Sequence, residues 1–446
     1  MPQNLETIAA IATAPGKGGI GIVRLSGRNL ATIAAALLGK MPSLRQATYT
    51  SFFDVDGSVI DRGIAIFFSG PNSYTGEDVL ELHAHGGTAV LQLLLKSCLA
   101  AGARIALPGE FTQRAFLNDK LDLVQAEGVA DLINATSEQA VRSATRSLDG
   151  EFSSAINKLV AAIIELRMQV EASIDFPEEN IEVADIRRSE HMLAAIRAEL
   201  EHILNLAQQG NILQEGAHVV LVGQPNVGKS SLLNVLAGED VALVSDIAGT
   251  TRDSIHQYIN INGVPLHIVD TAGLRESHDT VELMGMERTK RAIQKADVVL
   301  VLMDIQNTGE DGHQKIIDMI PENTPKLYVV NKIDIFNQLA RTETRDECCY
   351  IYLSAKTGAG IDMLRDKILQ LMGWHGEAGV FMARERHLQA LLQAKQFFER
   401  ASAVIAKTEF FAEELTYAQR ELSKITGEYT SNELLGEIFS RFCIGK

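Results

Sequence analysis

GQPNVGKS, residues 223–230, decides how this chain is read. The apolar run at 219–222 leads into it as a strand, and Gly228-Lys229-Ser230 opens a helix behind it. Glycines let the backbone curl until its N–H groups point inward, around the oxygens of a phosphate. The helix N-terminus adds partial positive charge at the same place. In such a loop Lys229 reaches the β- and γ-phosphates and the Ser230 hydroxyl suits Mg2+. Asn226, Val227, Gly228, Lys229, Ser230 and Ser231 are the expected cradle residues.

Further along, NKID at 331–334 follows an apolar strand at 327–330, and SAK at 354–356 follows another at 351–353. A carboxylate can accept two parallel N–H bonds. Guanine offers such a pair at its ring N–H and exocyclic amine; adenine does not. Asp334 is therefore expected to read guanine, flanked by Asn331 and Lys332, with Ser354, Ala355 and Lys356 on the outer side of the base. DTAG at 270–273 also follows a strand. There Asp270 holds Mg2+ through water, Thr271 and Ala272 line the site, and the Gly273 N–H senses the γ-phosphate. Between the two lies SDIAGTTRD, residues 245–253. Ser245, Asp246, Ile247, Ala248, Gly249 and Thr250 make it a switch loop, and Thr251 supplies a second hydroxyl for Mg2+.

One feature departs from the common small-GTPase plan. Leu274 follows DTAG, where a glutamine would orient water, and no arginine finger is legible. Asn226 offers a side-chain oxygen beside the phosphates, and the 245–250 loop offers backbone carbonyls. Together they suit a monovalent cation, which can do an arginine's electrostatic work. Glu282, in the polar segment after DTAG, is either a water-orienting acid or a solvated switch residue; sequence alone favours the second.

Strands at 219–222, 266–269, 298–303, 327–330 and 351–353 alternate with helical segments, the pattern of a parallel sheet covered on both faces. Helical stretches flank this α/β unit. On one side Leu121, Val124, Val129, Leu132 and Ile133 share a helix face. Thr136 and Gln139 then have capping-box spacing, opening a helix that runs to Ile174 and is ended by Asp175-Phe176-Pro177. Another helix covers 186–207. On the other side Leu388, Leu391 and Leu392 begin a helical pattern that Leu415, Ala418, Leu422 and Ile425 continue. Thr430 and Glu433 cap a last helix bearing Leu434, Leu435, Ile438, Phe439 and Phe442. Each flank has an apolar face needing a partner, and packing the two together makes one helical domain from two separated segments. Residues before 119 mix β-branched runs at 20–25 and 64–68 with a helical patch at 88–100, a small α+β domain.

The chain has 446 residues, enough for about two or three domains. Hydrophobic residues make up 46% and charged residues 22%, the balance of a soluble globular protein. No apolar run reaches the roughly 18 residues that span a bilayer, and the start lacks the pattern of a signal peptide. Cys98, Cys348, Cys349 and Cys443 do not suggest a disulfide framework. These features place the protein in the reducing cytoplasm. The net charge of −16 gives no support to a protein that grips nucleic-acid backbone with its whole surface.

Beyond these motifs stand APGKGGIGIVRLSG near the start, GEDVLELHAHGG at 76–87, PGEFTQRAFLNDKLDLVQAE at 108–127, IDFPEE at 174–179, DTAGLRE and the terminal FCIGK. On these blocks the chain resembles, along essentially its full length, the MnmE (TrmE) family of bacterial tRNA-modification GTPases. The resemblance implies an N-terminal folate-binding and dimerisation domain at 1–118, a helical domain at 119–215 and 375–446, and an inserted Ras-like G domain at 216–374. It implies potassium-stimulated GTP hydrolysis with G domains pairing across a homodimer. Asn226, Ser245, Ile247 and Thr250 would be potassium ligands, and Glu282 the water-orienting acid. It implies a FAD-containing partner, MnmG (GidA), with which an aminomethyl or carboxymethylaminomethyl group is added to the tRNA wobble uridine. The carbon comes from a tetrahydrofolate derivative, with contacts expected at Arg24, Glu81, Lys120 and Lys446. Cys443 resembles a cysteine that the modification requires.

Two other readings compete. A ribosome-assembly GTPase shares the P-loop, the 245–253 loop and Leu274, but leaves the N-terminal blocks and FCIGK unexplained. A folate-binding scaffold with an idle G domain is opposed by intact Lys229, Ser230, Thr251 and Asp270. Two patterns are set aside. Gly16, Gly18 and Gly21 spell a dinucleotide fingerprint, but a strand follows where that motif needs a helix. The terminal Cys443-Ile444-Gly445-Lys446 has the outline of a prenylation box, which glycine and lysine fit poorly.

Overall fold

A computed structural model of the chain describes residues 6–175, 183–238, 256–270, 289–306, 317–345, 348–376, 379–428 and 432–445. The architecture is mixed α/β with two separate sheets and a set of long helices. Two compact units emerge. One comprises Met1–Ala130, Ser147–Met192 and Gln396–Lys446; the other comprises Asp131–Arg146 and Leu193–Lys395.

In the first unit, six strands lie in the order β3-β4-β5-β2-β1-β6. They are β1 Ile8–Ile11, β2 Gly18–Ser26, β3 Thr48–Phe53, β4 Val59–Phe68, β5 Val79–Gly86 and β6 Arg104–Ile105. Only β1 and β6 pair in parallel. Helices α1 Leu30–Leu38 and α2 Thr88–Ala100 pack on this sheet over Val23, Leu25, Phe52, Leu80 and Leu82. The expected strand at 20–25 lies inside β2, that at 64–68 is the second half of β4, and α2 has its expected bounds. Because β2 is a strand, the Gly16–Gly21 pattern opens no helix.

Short helices α3 Glu110–Leu117 and α4 Leu123–Asn134 follow. Leu121 precedes α4 instead of lying on it. A reciprocal cap explains this: the Gln125 N–H donates to Asp122 Oδ1 at 2.9 Å, and the Asp122 N–H donates to Gln125 Oε1 at 3.0 Å. The single helix predicted from Thr136 to Ile174 is two, α5 Glu138–Leu148 and α6 Glu151–Asp175. Gly150 separates them at φ +85, a left-handed bend that glycine takes without a steric penalty. The predicted capping box is also corrected. Ser137 is the cap, its Oγ accepting the Ala140 N–H at 3.1 Å, while the Gln139 side chain lies against Gly263. Phe176 and Pro177, read as the terminator of α6, lie outside the described residues, as does the Thr430 cap.

Every three or four residues along α6 an apolar side chain is buried: Phe152, Ile156, Leu159, Ile163, Leu166 and Val170. It packs along a later helix, Thr408–Thr426, whose Phe411, Leu415, Ala418, Leu422 and Ile425 form the matching stripe. Arg167 Nη1 donates to Gln419 Oε1 at 2.5 Å across this pair. The two sequence flanks therefore do supply each other's apolar partner. The helix expected at 186–207 is longer, α7 Val183–Glu215.

The second unit holds seven strands in the order β12-β13-β11-β10-β7-β9-β8. The five central ones are β7 Ala217–Gly223, β9 Val264–Asp270, β10 Val298–Asp304, β11 Lys326–Asn331 and β13 Cys348–Tyr352, all parallel. Val298–Met303 is buried at every position, as expected of a strand covered on both faces. β8 His256–Ile261 and β12 Arg341–Arg345 add antiparallel edges that the apolar pattern did not mark. Helices α8 Lys229–Ala237 and α9 Ile361–Leu371 belong to this unit. Beyond them run α10 Glu385–Ala403, α11 (the Thr408–Thr426 partner of α6) and α12 Asn432–Ser440. No helix among the described residues is long and apolar enough to cross a membrane.

Candidate functional site

β7 ends at Gly223 and α8 begins at Lys229, so residues 224–228 form the connecting loop. The glycines at its two borders, Gly223 and Gly228, have no room for a side chain. A Cβ at Gly223 would lie 2.5 Å from the Leu302 carbonyl oxygen, and one at Gly228 would lie 2.4 Å from Asn331 Nδ2. Gly228 (φ +97) and Asn226 (φ +64) are both left-handed, which turns the loop back over the start of α8. Lys229 is buried, and its Nζ donates to the Gly223 and Gln224 carbonyls at 2.8 and 2.7 Å. This holds the ammonium inside the loop. Ser230 and Ser231 are exposed at the helix N-terminus, where a hydroxyl can meet Mg2+.

NKID and SAK are tied to this loop by one side chain. Asn331 Nδ2 donates to the Val227 carbonyl at 2.9 Å, and Asn331 Oδ1 accepts the Ala355 N–H at 2.9 Å. The Ser354 hydroxyl donates to Asp334 Oδ1 at 2.6 Å, fixing the carboxylate's direction while leaving lone pairs for a planar N–H pair. Lys356 is exposed beyond them. Lys332 Nζ donates to the Asn226 carbonyl at 2.8 Å and to Asp304 Oδ2 at 2.6 Å. Burial alone pushes the Asp304 carboxyl upward. The Lys332 hydrogen bond and charge, with the Gln306 N–H, outweigh it and hold that carboxyl below its usual range.

Asp304 was not singled out in the sequence. Its partner is 28 positions away, and only the β10–β11 register places it opposite Asn331. Ser354, expected on the outer side of the base, has its hydroxyl between Asp334 Oδ1 and the Thr357 N–H, which it accepts at 3.2 Å. β9 delivers Asp270 beside Leu221 of β7, so DTAG starts next to the P-loop strand. Ser245, Asp246, Ile247, Ala248, Gly249, Thr250, Thr251, Thr271, Ala272, Gly273 and Glu282 lie outside the described residues. The fit of Mg2+ and K+ therefore rests on Ser230 and Asn226, both exposed with an oxygen-bearing side chain.

The first unit carries the other predicted group. Arg24 and Glu81 are cross-strand partners on β2 and β5, and Arg24 Nε donates to Glu81 Oε1 at 2.9 Å. The Arg24 guanidinium also lies 5.5 Å from the Tyr74 ring centroid and 5.9 Å from that of Phe111. Glu81 Oε2 is 3.2 Å from His83 Nε2. Lys120 is exposed, and its stem passes Gly76. Lys446 lies outside the described residues. Of the terminal motif, Cys443 is exposed, Ile444 bridges to Pro108, and Gly445 abuts the Ile11 carbonyl. Cys98 is the opposite case: burial pushes its thiol up to about 12. A pocket of about 300 Å³ beside the tail is lined by Ile11, Thr13, Leu91, Leu95, Ile105 and Ile444, without Arg24, Glu81 or Lys120.

PGEFTQR, one of the long sequence blocks, builds a buried ion network. Glu110 receives Arg104 Nη2 at 2.6 Å and Arg114 Nη2 at 2.9 Å, and Arg114 Nη1 donates to Glu77 Oε2 at 2.9 Å.

Residues 123–443 match the family model for the MnmE helical domain, and residues 7–120 match that for the GTP-binding protein TrmE N-terminus. The tRNA modification GTPase MnmE of Nitrosomonas europaea is 56% identical over 447 residues, covering 99% of each chain. That of Laribacter hongkongensis is 54% identical, covering 99% of each. That of Neisseria meningitidis serogroup C is 52% identical, covering 100% of each. With both family models matched and relatives more than half identical along the whole length, this chain belongs to the MnmE (TrmE) family of tRNA modification GTPases.

Proposed function

We propose that this chain hydrolyses GTP in the loop around Lys229 and couples that hydrolysis to modification of the tRNA wobble uridine. The observation that carries the nucleotide half is the double role of Asn331, which joins the phosphate loop to SAK beside Asp334. In this reading Lys229 exchanges its loop carbonyls for the β- and γ-phosphate oxygens, and Asp334 accepts guanine's N–H pair. Mg2+, when bound at Ser230 and Thr251, neutralises developing phosphate charge. Asn226, Ser245, Ile247 and Thr250 hold K+, and Glu282 orients the attacking water.

The tRNA half follows the relatives' printed function. In this reading the functional domains are 1–118, 119–215 with 375–446, and 216–374. A tetrahydrofolate derivative meets Glu81 and Arg24 in the first of these, with Lys120 and Lys446 nearby. Glu81 is a fitting acceptor for a pterin's N–H groups, and Arg24 a fitting donor to its anionic tail. The working assembly is a cytoplasmic homodimer with the FAD-containing subunit MnmG. Cys443, exposed on the docked tail, takes part in the modification. The ribosome-assembly alternative left unexplained the N-terminal blocks, which the family models now cover.

The test is deletion of the gene, followed by mass spectrometry of total tRNA nucleosides. The expected result is loss of the C5-modified wobble uridine. An unchanged nucleoside profile would refute the proposal.

A further inference from the structure

Among the described residues of the nucleotide site, Asp304 is a carboxylate with no assigned part. It is the last residue of β10, opposite Asn331 in register. Its own position is set locally, because the Gln306 N–H donates to Oδ1 at 3.0 Å. Its Oδ2 meets Lys332 Nζ at 2.6 Å, and the same ammonium donates to the Asn226 carbonyl. Asn331 holds the next carbonyl, that of Val227. Two successive residues of NKID therefore grip two successive carbonyls of the phosphate loop.

That grip bears on the bend at Asn226. Asparagine takes its left-handed backbone at less cost than most side chains do, so the two side-chain clamps select this bend among those open to the loop. Lysine alone is a poor clamp, being a point charge on a flexible four-carbon stem with ready access to water. Exposed ion pairs often contribute little. This one differs: the Asp304 side chain is only 16% exposed, and the ammonium has two acceptors at once.

We propose that Asp304 is a positioning residue for the nucleotide site, holding Lys332 so that the bend of the phosphate loop at Asn226 is set before nucleotide arrives. The proposal rests on the assignment of residues 223–230 as the phosphate cradle. Asp304 acts through Lys332. A preset loop grips the phosphates alike in the bound and transition states, so the effect falls on binding more than on the chemical step.

The experiment uses the full chain and a fluorescent GDP analogue, with dissociation rate, GTP KM and kcat measured for Asp304→Ala, Asp304→Asn, Lys332→Ala and the Asp304→Ala/Lys332→Ala double variant. Thermal melting checks that each is folded. The expected result for Asp304→Ala is dissociation about 5- to 30-fold faster, KM raised by a similar factor, and kcat changed less than about threefold. Asp304→Asn, which still accepts a hydrogen bond, recovers part of the loss. The double variant is no worse than Lys332→Ala alone. Wild-type dissociation in folded Asp304→Ala, or additive losses in the double variant, would overturn the proposal. If Asp304→Ala does not fold, Asp304→Asn alone and combined with Lys332→Ala gives the same cycle. Lys229→Ala separates the two levels: if it binds the analogue normally, the cradle assignment itself has failed, whereas weakened binding there with wild-type dissociation in Asp304→Ala means that only the role of Asp304 has.

Discussion

Asp334 shows how a single side chain acquires a role. Its carboxylate is the right chemistry for guanine, and the Ser354 hydroxyl at 2.6 Å gives it a fixed direction. Asp334→Asn replaces one acceptor with a donor and opposes guanine's exocyclic amine. We expect preference to shift from GTP towards xanthosine triphosphate, which offers an oxygen there; undiminished preference for GTP in competition assays would contradict the assignment. A second residue-scale prediction concerns Glu110. Burial pushes its carboxyl up, but Arg104, the Leu107 N–H and Arg114 outweigh that and hold it below its ordinary 4.5. A group with a lowered folded-state pKa stabilises the fold above its unfolded pKa and loses that contribution as pH falls through the folded value. Glu110→Gln should therefore cost about 3 kcal/mol at pH 7, and clearly less well below its ordinary 4.5. Equal costs in urea melts at the two pH values would count against the network. The contrast with Asp304 shows what a sequence conceals: NKID is legible because its residues are adjacent, whereas the Asp304–Lys332 pair exists only through strand register.

Among the elements, central strands were legible and edge strands were not. Val298–Met303 is apolar throughout because neighbours cover both faces, while Arg341–Arg345 is polar because one side of the strand meets solvent. The split of the 136–174 run was missed because helix-forming residues stand on both sides of Gly150 with no proline between them, and its φ of +85 marks the break. Ser137 took the cap from Thr136 for a similar reason, since adjacent hydroxyls offer the same chemistry one residue apart. α7 carries a constraint of its own. A Cβ at Gly210 would sit 1.9 Å from the Phe381 carbonyl oxygen, backbone that cannot swing aside. Asn211 Nδ2 reaches the Ala383 carbonyl nearby, so α7 and residues 381–383 run in direct contact. Gly210→Ala removes a helix-breaking residue, which in isolation would stabilise α7 by about 1 kcal/mol. We expect the clash to win, with a net loss of about 1–3 kcal/mol in chemical denaturation. A net gain would show that the contact is looser than described.

For the whole molecule, the sequence reading reached furthest where motifs are long: the N-terminal blocks, the P-loop and FCIGK named the family that the comparisons bear out. The composition was less informative. A net charge of −16 argues against broad nucleic-acid binding, yet the relatives act in tRNA modification. An acidic chain in that role should grip tRNA through a limited surface or through the proposed partner. A bound cation would join separated segments of the chain, since its proposed ligands are Asn226 in the loop and Ser245, Ile247 and Thr250 further along. GTP turnover is expected to rise at least about tenfold when K+ replaces Na+ at equal ionic strength; equal rates would remove the cation from the account. The central claim is that the guanine site drives the tRNA chemistry. It is tested by returning wild-type and Lys229→Ala chains to the deletion strain and measuring wobble-uridine modification by mass spectrometry. The account predicts that wild type restores the modified nucleoside and that Lys229→Ala, expressed at the same level, does not; full restoration by Lys229→Ala would contradict it.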